Sequence, residues 1–242
     1  MERFVYEQMA ELDERHWWYC ARRDVVAALI RRVVRPPKNA AILEIGCGTG
    51  HNFKMLGEFG HVDALELDDE ARAISEKRLG RSIMSAPLPE LAGVPEHRYD
   101  MIGAFDVIEH IDDDHAAIAS IATRLKRGGK FVMTVPAHQW MWSAHDTVNH
   151  HKRRYSKPGL KALIDGSPLK LEAVGYMNSL LFPVAIAERM ASKALGKDGG
   201  DLALPPAPLN AALKRTFAAE RHLIGRVPLP PGLSLFAVAS AT

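Results

Sequence analysis

Short apolar runs alternate with stretches of helical spacing between about residue 41 and residue 136. Four of the runs are apolar along their whole length, as are strands buried on both faces of a parallel sheet: residues 41–45, 62–67, 101–105 and 131–135. A weaker strand is predicted near residues 82–84. Helices are predicted at 69–79 and 115–125, the second ending at Arg127-Gly128-Gly129 with a left-handed cap. This order predicts βαβ units and an α/β fold.

Beyond residue 157 the pattern predicts a helix at 158–164, a strand at 169–177 and a last strand at 234–240. Two strands at the end of an alternating fold indicate an antiparallel pair at the edge of the sheet. We therefore expect a Rossmann-like, seven-stranded, mostly parallel sheet whose last strand is antiparallel, with helices on both faces and a small helical cap.

Two segments outside the alternating pattern are predicted to be helical. Residues 1–40 carry an aromatic cluster, His16-Trp17-Trp18-Tyr19, and end at Pro36-Pro37, so they are interpreted as a lid or brace. Residues 180–231 are too long for a hairpin loop and contain helical stretches, which predicts a cap insertion. The core domain would then comprise residues 41–179 and 232–242.

Composition narrows the class of protein. The chain has 242 residues, 47% hydrophobic and 25% charged, with a net charge of +2, so one soluble domain is expected and nucleic acid is not an expected partner. Two cysteines, Cys20 and Cys47, indicate a reducing compartment, and no metal site is predicted. Because no signal peptide or membrane span is evident, a cytoplasmic location is expected. The apolar run at 180–187 leaves peripheral contact with the inner face of the membrane open.

Three glycines follow the first predicted strand at alternate positions: Gly46, Gly48 and Gly50. Such glycines let the backbone turn tightly and approach a ligand at the start of the next helix. Glu66, twenty residues after Gly46, closes the second predicted strand, where a carboxylate can accept both ribose hydroxyls of an adenosine-containing ligand. A tight turn that binds no ligand is the competing interpretation.

The position of Glu44 helps to distinguish between two adenosine-containing ligands, NAD and S-adenosylmethionine. The spacing is Gly-x-Gly-x-Gly rather than Gly-x-Gly-x-x-Gly, and Glu44 precedes the first glycine by two residues. A carboxylate at that position would repel a pyrophosphate, but it suits the ammonium and sulfonium charges of S-adenosylmethionine. The pattern therefore favours S-adenosylmethionine over NAD.

Residues 42–50, 62–68 and 99–111 resemble the first, second and fourth motifs of class I S-adenosylmethionine-dependent methyltransferases. The resemblance implies S-adenosylmethionine as cofactor and S-adenosylhomocysteine as product. It also implies a set of cofactor contacts: Glu44, Gly46, Cys47, Gly48, Gly50, Asn52, Glu66, Leu67, Asp68, Ser85, Ala86, Phe105, Asp106 and Ile108. One departure concerns adenine, since Ser85-Ala86-Pro87 replaces the acidic residue that the family often has there.

A loop rich in aromatic, imidazole and guanidinium groups follows the strand at 131–135, at the edge where open α/β sheets bind ligands. Its Trp-Ser-Ala-His-Asp and His-x-Arg-Arg-Tyr elements, with the N-terminal His-Trp-Trp, resemble a bacterial branch of the same methyltransferases, many members of which are associated with envelope functions. The predicted substrate contacts are Trp140, Trp142, Asp146, Arg153, Arg154, Tyr155, Trp17 and Tyr19. Packing of the tryptophans and surface ion pairs of the two arginines are the alternatives.

Three histidines are candidates for a general base, because imidazole is the usual proton acceptor near neutral pH: His110, His145 and His151. Asp146 or Glu109 can orient one of them, whereas His110 can instead cap the following helix.

The sequence thus predicts a methyltransferase that acts on a small-molecule or lipid- or glycan-linked acceptor, with O-methylation favoured over N- or C-methylation. A nucleotide-dependent oxidoreductase and a non-catalytic S-adenosylmethionine-binding relative are the other hypotheses. The oligomeric state is left open.

Overall fold

A six-stranded sheet forms the centre of the protein. The computed structural model describes residues 3–194 and 203–242. Its strands are β1 (Ala40–Ile45), β2 (Gly60–Leu65), β3 (Tyr99–Phe105), β4 (Leu125–Pro136), β5 (Leu169–Met177) and β6 (Ser234–Ala241). They are ordered β2-β1-β3-β4-β6-β5, the first four pair in parallel, and β6 is antiparallel to both of its neighbours. The predicted α/β Rossmann-like class and the antiparallel last strand are confirmed.

The prediction of seven strands is wrong for the described part of the chain, where six are found. The expected strand at 82–84 is reduced to one parallel bridge between Met84 and Leu65. The Met84 backbone N–H donates to Ala64, and its carbonyl accepts from Glu66, both at 3.1 Å. The chain then reaches Pro87 and Pro89, which have no backbone N–H, so the ladder cannot extend.

Nine α-helices lie in the described residues: α1 (Arg3–Leu12), α2 (Trp17–Leu29), α3 (Phe53–Gly57), α4 (Asp69–Leu79), α5 (Asp114–Arg124), α6 (Ala144–Val148), α7 (Lys157–Asp165), α8 (Phe182–Ala194) and α9 (Ala207–Ala219). They surround a sheet that is buried on both sides. Ile42 and Leu43 of β1 are fully buried in two different apolar clusters, one containing Leu29 of α2 and the other Ile121 of α5. This explains why the parallel strands are continuous apolar runs.

Helix α5 ends earlier than its sequence predicts. It stops at Arg124, and Leu125 is already extended, with φ −76° and ψ 144°. Gly128 has φ +75°, but it lies inside β4, where the register with β3 shifts between Tyr99 and Met101. The glycines therefore accommodate an irregularity in the strand and do not cap the helix.

The segment between β5 and β6 packs against the N-terminal part of the chain. Helix α9 lies on α2, and the Phe217 and Trp17 rings meet edge to face with centroids 6.4 Å apart. The Asn210 side chain accepts from the Trp17 backbone N–H and donates to the Arg15 carbonyl, both at 2.9 Å. The division into lid, core and cap stays a prediction. No helix among the described residues has the length and apolarity needed to cross a membrane.

Glu220, just after α9, joins this segment to the end of β5. Its side chain is fully buried and accepts the backbone N–H groups of Asn178, Ser179 and Leu180 at 2.7, 2.6 and 2.8 Å. Burial raises the pKa of Glu220, and the three backbone hydrogen bonds oppose this shift. One carboxylate thus satisfies three donors at the turn that leads from the sheet into α8.

Replacement of this carboxylate should destabilise the fold. In the Glu220→Ala variant the three N–H groups lose their acceptor, so we expect the free energy of unfolding to fall by about 3 kcal/mol. Urea denaturation measures the change, and Glu90→Ala, at an exposed position, serves as the control. Equal unfolding midpoints for the two variants would contradict this role.

Candidate active site

The turn after β1 is built from glycines that have left-handed backbone. Gly46, Gly48 and Gly50 have φ of +65°, +55° and +78°. A Cβ atom at Gly46 would lie 2.7 Å from a methyl carbon of Val107, so no larger residue fits there. At Gly48 a Cβ atom would lie 3.5 Å from the sulfur of Met9, an ordinary van der Waals contact. Gly46 and Gly48 both line the cavity beside the turn, so glycine backbone faces the space that a ligand would fill.

Glu66 ties the glycine turn to the end of β2. One carboxylate oxygen accepts the Gly48 backbone N–H at 2.7 Å, and the other accepts those of Leu67 and Asp68 at 2.9 Å. Burial raises the pKa of Glu66, whereas these three donors favour its ionised form. Asp68 in turn caps α4 by accepting from the Glu70 and Ala71 N–H groups.

Glu44 lies behind the glycine turn. It is 1% exposed, and one of its oxygens accepts the Asn52 amide at 2.7 Å. The other oxygen has no hydrogen-bond partner among the residues that the structure describes. Burial raises the pKa of Glu44 to about 8, against the opposing effects of Asn52 and Arg22. The free protein therefore carries a mostly protonated carboxyl at this position near pH 7.

A cavity of about 890 Å³ opens beside the turn, within the size range of small-molecule sites. Eight of the predicted cofactor contacts line it: Gly46, Gly48, Glu66, Leu67, Asp68, Ala86, Phe105 and Asp106. The other six do not reach its wall: Glu44, Cys47, Gly50, Asn52, Ser85 and Ile108. These six residues lie in or next to the turn and the strand ends, but they are not part of the surface that a ligand in the cavity would touch.

Helices α1 and α2 form the opposite wall, with Tyr6, Met9, Trp17, Trp18 and Tyr19. Two of these residues, Trp17 and Tyr19, belong to the predicted substrate contacts. The others were not predicted, although the aromatic cluster in the sequence does indicate that this segment covers a site.

Arg22 of α2 reaches across the cavity to the ends of β3 and β4. Its guanidinium donates to Asp106 at 2.6 Å and to the Thr134 hydroxyl at 2.7 Å. It also lies 4.9 Å from the centroid of the Trp18 ring. Asp106 has φ +58°, so its carboxylate is presented by a strained backbone. Arg22 thus lines this cavity; the sequence indicated it only as one of two arginines, with Arg23, that could reach the carboxylate of the cofactor.

Asp146 lies behind the cavity wall and holds two residues that line the cavity, His151 and Arg154. It is fully buried and accepts the Ser143 N–H at the start of α6. Its oxygens also accept the Nδ1 of His151 at 2.9 Å and two guanidinium nitrogens of Arg154, both at 2.8 Å. Burial opposes ionisation, but the hydrogen bonds from His151 and Arg154 outweigh it and hold the pKa of Asp146 well below its usual range.

The three candidate histidines come together at this end, and all of them line the cavity. The His151 ring centroid lies 4.7 Å from that of His110 and 6.1 Å from that of His145. Burial lowers the pKa of His110 to about 4 and also lowers that of His145, so both rings are neutral near pH 7. Neutral imidazole can accept a proton or bind a metal ion.

Glu109 lies beside these rings and lines the same cavity. It is fully buried, and neither of its oxygens has a hydrogen-bond partner in the described part of the chain. Burial raises its pKa well above the usual range, and the nearby Asp106 carboxylate adds to this effect. The sequence indicated Glu109 only as a group that could orient a histidine.

Several predicted substrate contacts do not reach the cavity wall: Trp140, Trp142, Asp146, Arg153 and Tyr155. Arg153 pairs with Asp114 at 2.7 Å, and the Tyr155 hydroxyl donates to the same carboxylate at 2.8 Å. Trp140 is 57% exposed. Of the loop residues predicted to bind substrate, only Arg154 lines the cavity.

A protein-family comparison agrees with this geometry. A family described as Methyltransferase domain matches residues 17–172, and the chain belongs to this family. Relatives include ubiquinone biosynthesis O-methyltransferases of Xanthomonas axonopodis pv. citri, 25% identical over 58% of this chain and 67% of that protein, and of Nitrosospira multiformis, 24% identical over 47% of this chain and 45% of that protein.

Solved structures share the fold at low sequence identity. A chain from the complex between the Haloferax volcanii Trm112 methyltransferase activator and a methyltransferase superposes with a TM-score of 0.63, at 16% identity over 99% of this chain and 94% of that one. Phosphoethanolamine N-methyltransferase 2 of Haemonchus contortus, in complex with S-adenosylmethionine, gives 0.58, at 18% identity over 89% of this chain and 51% of that one. The [4+2]-cyclase SpnF gives 0.55, at 17% identity over 90% and 80%.

The protein is therefore an S-adenosylmethionine-dependent methyltransferase, and S-adenosylmethionine is its cofactor. The residues present fit this molecule, because glycine backbone, the Glu66 carboxylate and aromatic side chains line one cavity. The oxidoreductase hypothesis is not supported.

Binding of the cofactor should release protons near pH 7. The positive charges of S-adenosylmethionine favour the ionised form of Glu44, whose pKa of about 8 leaves it mostly protonated in the free protein. We expect a release of up to about 0.9 proton per bound cofactor at pH 7. Calorimetric titrations in buffers of different ionisation enthalpy measure this number.

The isosteric Glu44→Gln variant is the control, because it keeps the partner of Asn52 and removes the titrating group. Proton release that is the same in both proteins would exclude Glu44 as its source.

Proposed function

We propose that the protein transfers the methyl group of S-adenosylmethionine to a hydroxyl oxygen of a small-molecule or lipid- or glycan-linked acceptor. The observation that carries this proposal is one cavity with two chemically different ends. The glycine turn and Glu66, which follow β1 and β2, line one end, and the residues that follow β3 and β4, His110, His145 and His151, line the other. A methyl donor at the first end would face an acceptor held among imidazoles at the second.

The reaction is an in-line displacement in which alignment supplies much of the acceleration. The acceptor oxygen forms a bond to the methyl carbon while the carbon–sulfur bond breaks, and its electron pair stays on sulfur as S-adenosylhomocysteine leaves. A hydroxyl acceptor must also lose its proton, which an imidazole of the histidine cluster can accept. Asp146 supports this role, because its hydrogen bond to Nδ1 of His151 leaves Nε2 of that ring as the available nitrogen.

At the donor end we infer that Glu66 binds the ribose hydroxyls. Its two oxygens already accept three backbone N–H groups, and a carboxylate has about four acceptor sites, so capacity for a hydroxyl remains. Trp17, Trp18 and Tyr19 close the cavity opposite the turn and would exclude water from the reacting groups.

The names of the relatives and the surface of the protein support two kinds of acceptor. A small-molecule acceptor that is methylated on oxygen is supported by the names of two relatives, which are ubiquinone biosynthesis O-methyltransferases. A lipid-linked acceptor is supported by exposed apolar side chains in α8 and the loop before α6, namely Val184, Met190 and Trp140, which are 59%, 68% and 57% exposed.

Two alternatives are kept because the fold is shared with other activities. The Haemonchus contortus structure is an N-methyltransferase, and SpnF is a [4+2]-cyclase. An amine or carbon acceptor would need less help from a base than a hydroxyl does. A non-catalytic protein would bind the cofactor but form no methylated product.

The first experiment measures cofactor binding by calorimetry with S-adenosylmethionine, S-adenosylhomocysteine and NAD. We expect the two adenosyl ligands to bind, NAD not to bind, and Glu66→Ala to lose binding because the glycine turn and the ribose contact both depend on this carboxylate. A panel of catechol, phenol, alcohol and amine acceptors then identifies the acceptor atom by mass spectrometry. Methyl transfer to amines alone would overturn the assignment to oxygen.

Substitution at the histidine cluster should separate catalysis from cofactor binding. For the acceptor found in the panel, we expect His151→Ala and Asp146→Asn to lower kcat/KM by about 100-fold or more, since an oriented imidazole is lost. Their affinity for S-adenosylmethionine should stay within about twofold of the native value, a difference of about 0.4 kcal/mol.

His61→Ala is the control and should keep its activity, because it removes a mostly exposed histidine at the start of β2, the opposite end of that strand from Glu66. Native rates in both cluster variants would rule out a role for this cluster in the reaction.

A further inference from the structure

We propose that Glu109, His110 and His151 bind a divalent transition-metal cation such as Zn²⁺ at the acceptor end of the cavity. The role of this ion rests on the proposed methyl transfer, but its binding can be measured independently of it. No metal site is expected from the sequence, because Glu109 and His110 are adjacent and His151 follows 41 residues later, which matches no familiar ligand spacing.

The three side chains already lie close enough to share one ion. One potential ligand atom from each, a carboxylate oxygen and two imidazole nitrogens, lies within 4.8 Å of the other two. Ligand atoms that are about 2.1 Å from one ion lie roughly 3.5 Å apart, so small side-chain rotations would complete the site. One carboxylate and two imidazoles form a ligand set that zinc and related cations use in catalytic sites.

Glu109 supplies an independent indication of a missing ligand. Its side chain is 0% exposed, and both of its oxygens lack hydrogen-bond partners among the residues described. A buried carboxylate without a partner is costly, and a bound cation would remove this cost. The other carboxylates of this region differ, since Asp106 pairs with Arg22 and Asp146 with Arg154.

One ring nitrogen of His151 is already engaged. Nδ1 of His151 donates to Asp146 at 2.9 Å, which leaves Nε2 for a metal ion. Metal-binding histidines usually donate their other ring N–H to a carboxylate or a backbone carbonyl, which fixes the ring and its tautomer.

The charges around the cluster also favour a cation. Asp106, Glu109 and Asp146 are three potential negative charges, and Arg22 and Arg154 are two positive ones, so the group has a net charge of −1 when Glu109 is ionised. Because both arginines are paired with the two aspartates, the charge of Glu109 is the one left without compensation.

All three proposed ligands line the cavity, so an ion bound to them would keep open coordination positions towards the acceptor. An ion bound to Nε2 of His151 would remove that ring as the base, so a hydroxyl bound to the ion would lose its proton to the ring of His145, which also lines the cavity. The resulting oxygen then forms its bond to the methyl carbon as the carbon–sulfur bond breaks and the electron pair passes to sulfur. An acceptor with two neighbouring oxygens, such as a catechol, would occupy two open positions and is the class that this site favours.

Co²⁺ is a suitable probe, because its visible absorption reports the ligands that it binds. We expect the chelator-treated full-length protein to bind one Co²⁺ per chain with a saturable visible band, and Zn²⁺ to displace it. Glu109→Gln, His110→Ala and His151→Ala should each weaken Co²⁺ binding by at least tenfold. His61→Ala, at an exposed histidine, should bind Co²⁺ like the native protein.

The native protein alone already tests the proposal. Absence of saturable one-to-one binding would overturn it, as would equal binding by all of the variants, since the ion would then lie elsewhere. Calorimetry with S-adenosylmethionine on the same samples shows that the variants are folded. It also separates the two proposals, because cofactor binding and methyl transfer without Co²⁺ or Zn²⁺ binding would leave the proposed function intact and exclude the metal site.

Discussion

The glycine turn of this methyltransferase depends on the hydrogen bonds that Glu66 accepts from the backbone. Its two oxygens hold the N–H groups of Gly48, Leu67 and Asp68, and so join the turn after β1 to the turn after β2. Parallel strands end at the same edge of the sheet, but this alone does not fix the position of one loop relative to the next, whereas such a hydrogen bond does. One buried carboxylate thereby shapes the floor of the cavity before any ligand arrives.

Buried carboxylates also join separate segments of the chain at two other places in the molecule. Glu220 joins the end of β5 to the turn after α9, and Asp146 joins the start of α6 to His151 and Arg154. Both oxygens of Glu220 and both oxygens of Asp146 accept hydrogen bonds from the protein. Glu44 and Glu109 are buried as well, but they keep oxygens without partners among the described residues. Oxygens without partners near a cavity are where a bound positive charge would be stabilised most; Glu109 lines this cavity, whereas Glu44 lies behind the glycine turn.

Much of the cavity wall around the glycine turn was predictable from local sequence, and much of the wall around the histidine cluster was not. Gly46 and Glu66 follow strands directly, so the strand pattern alone places them at one edge of the sheet, and the cavity contains both. The pairing of Arg22 with Asp106 was not predictable, because Arg22 lies on a helix 84 positions before Asp106 and nothing in the local pattern connects the two residues. Conversely, Arg153 has the same residue type as its neighbour Arg154 but contacts Asp114 instead of the cavity.

The sequence by itself determined the alternation of strands and helices, the antiparallel end of the sheet and the glycine turn with its acidic partners. These features follow from hydrophobic periodicity and from the backbone freedom of glycine, both of which act over a few residues. Only the tertiary structure decided that the strand predicted near residues 82–84 is a single bridge at Met84 and that Arg22 of α2 pairs with Asp106. It alone also decided that Glu109, His110 and His151 meet in one cavity. Such contacts depend on how distant segments pack, because burial and hydrogen-bond partners are properties of the folded chain and not of the neighbours along it.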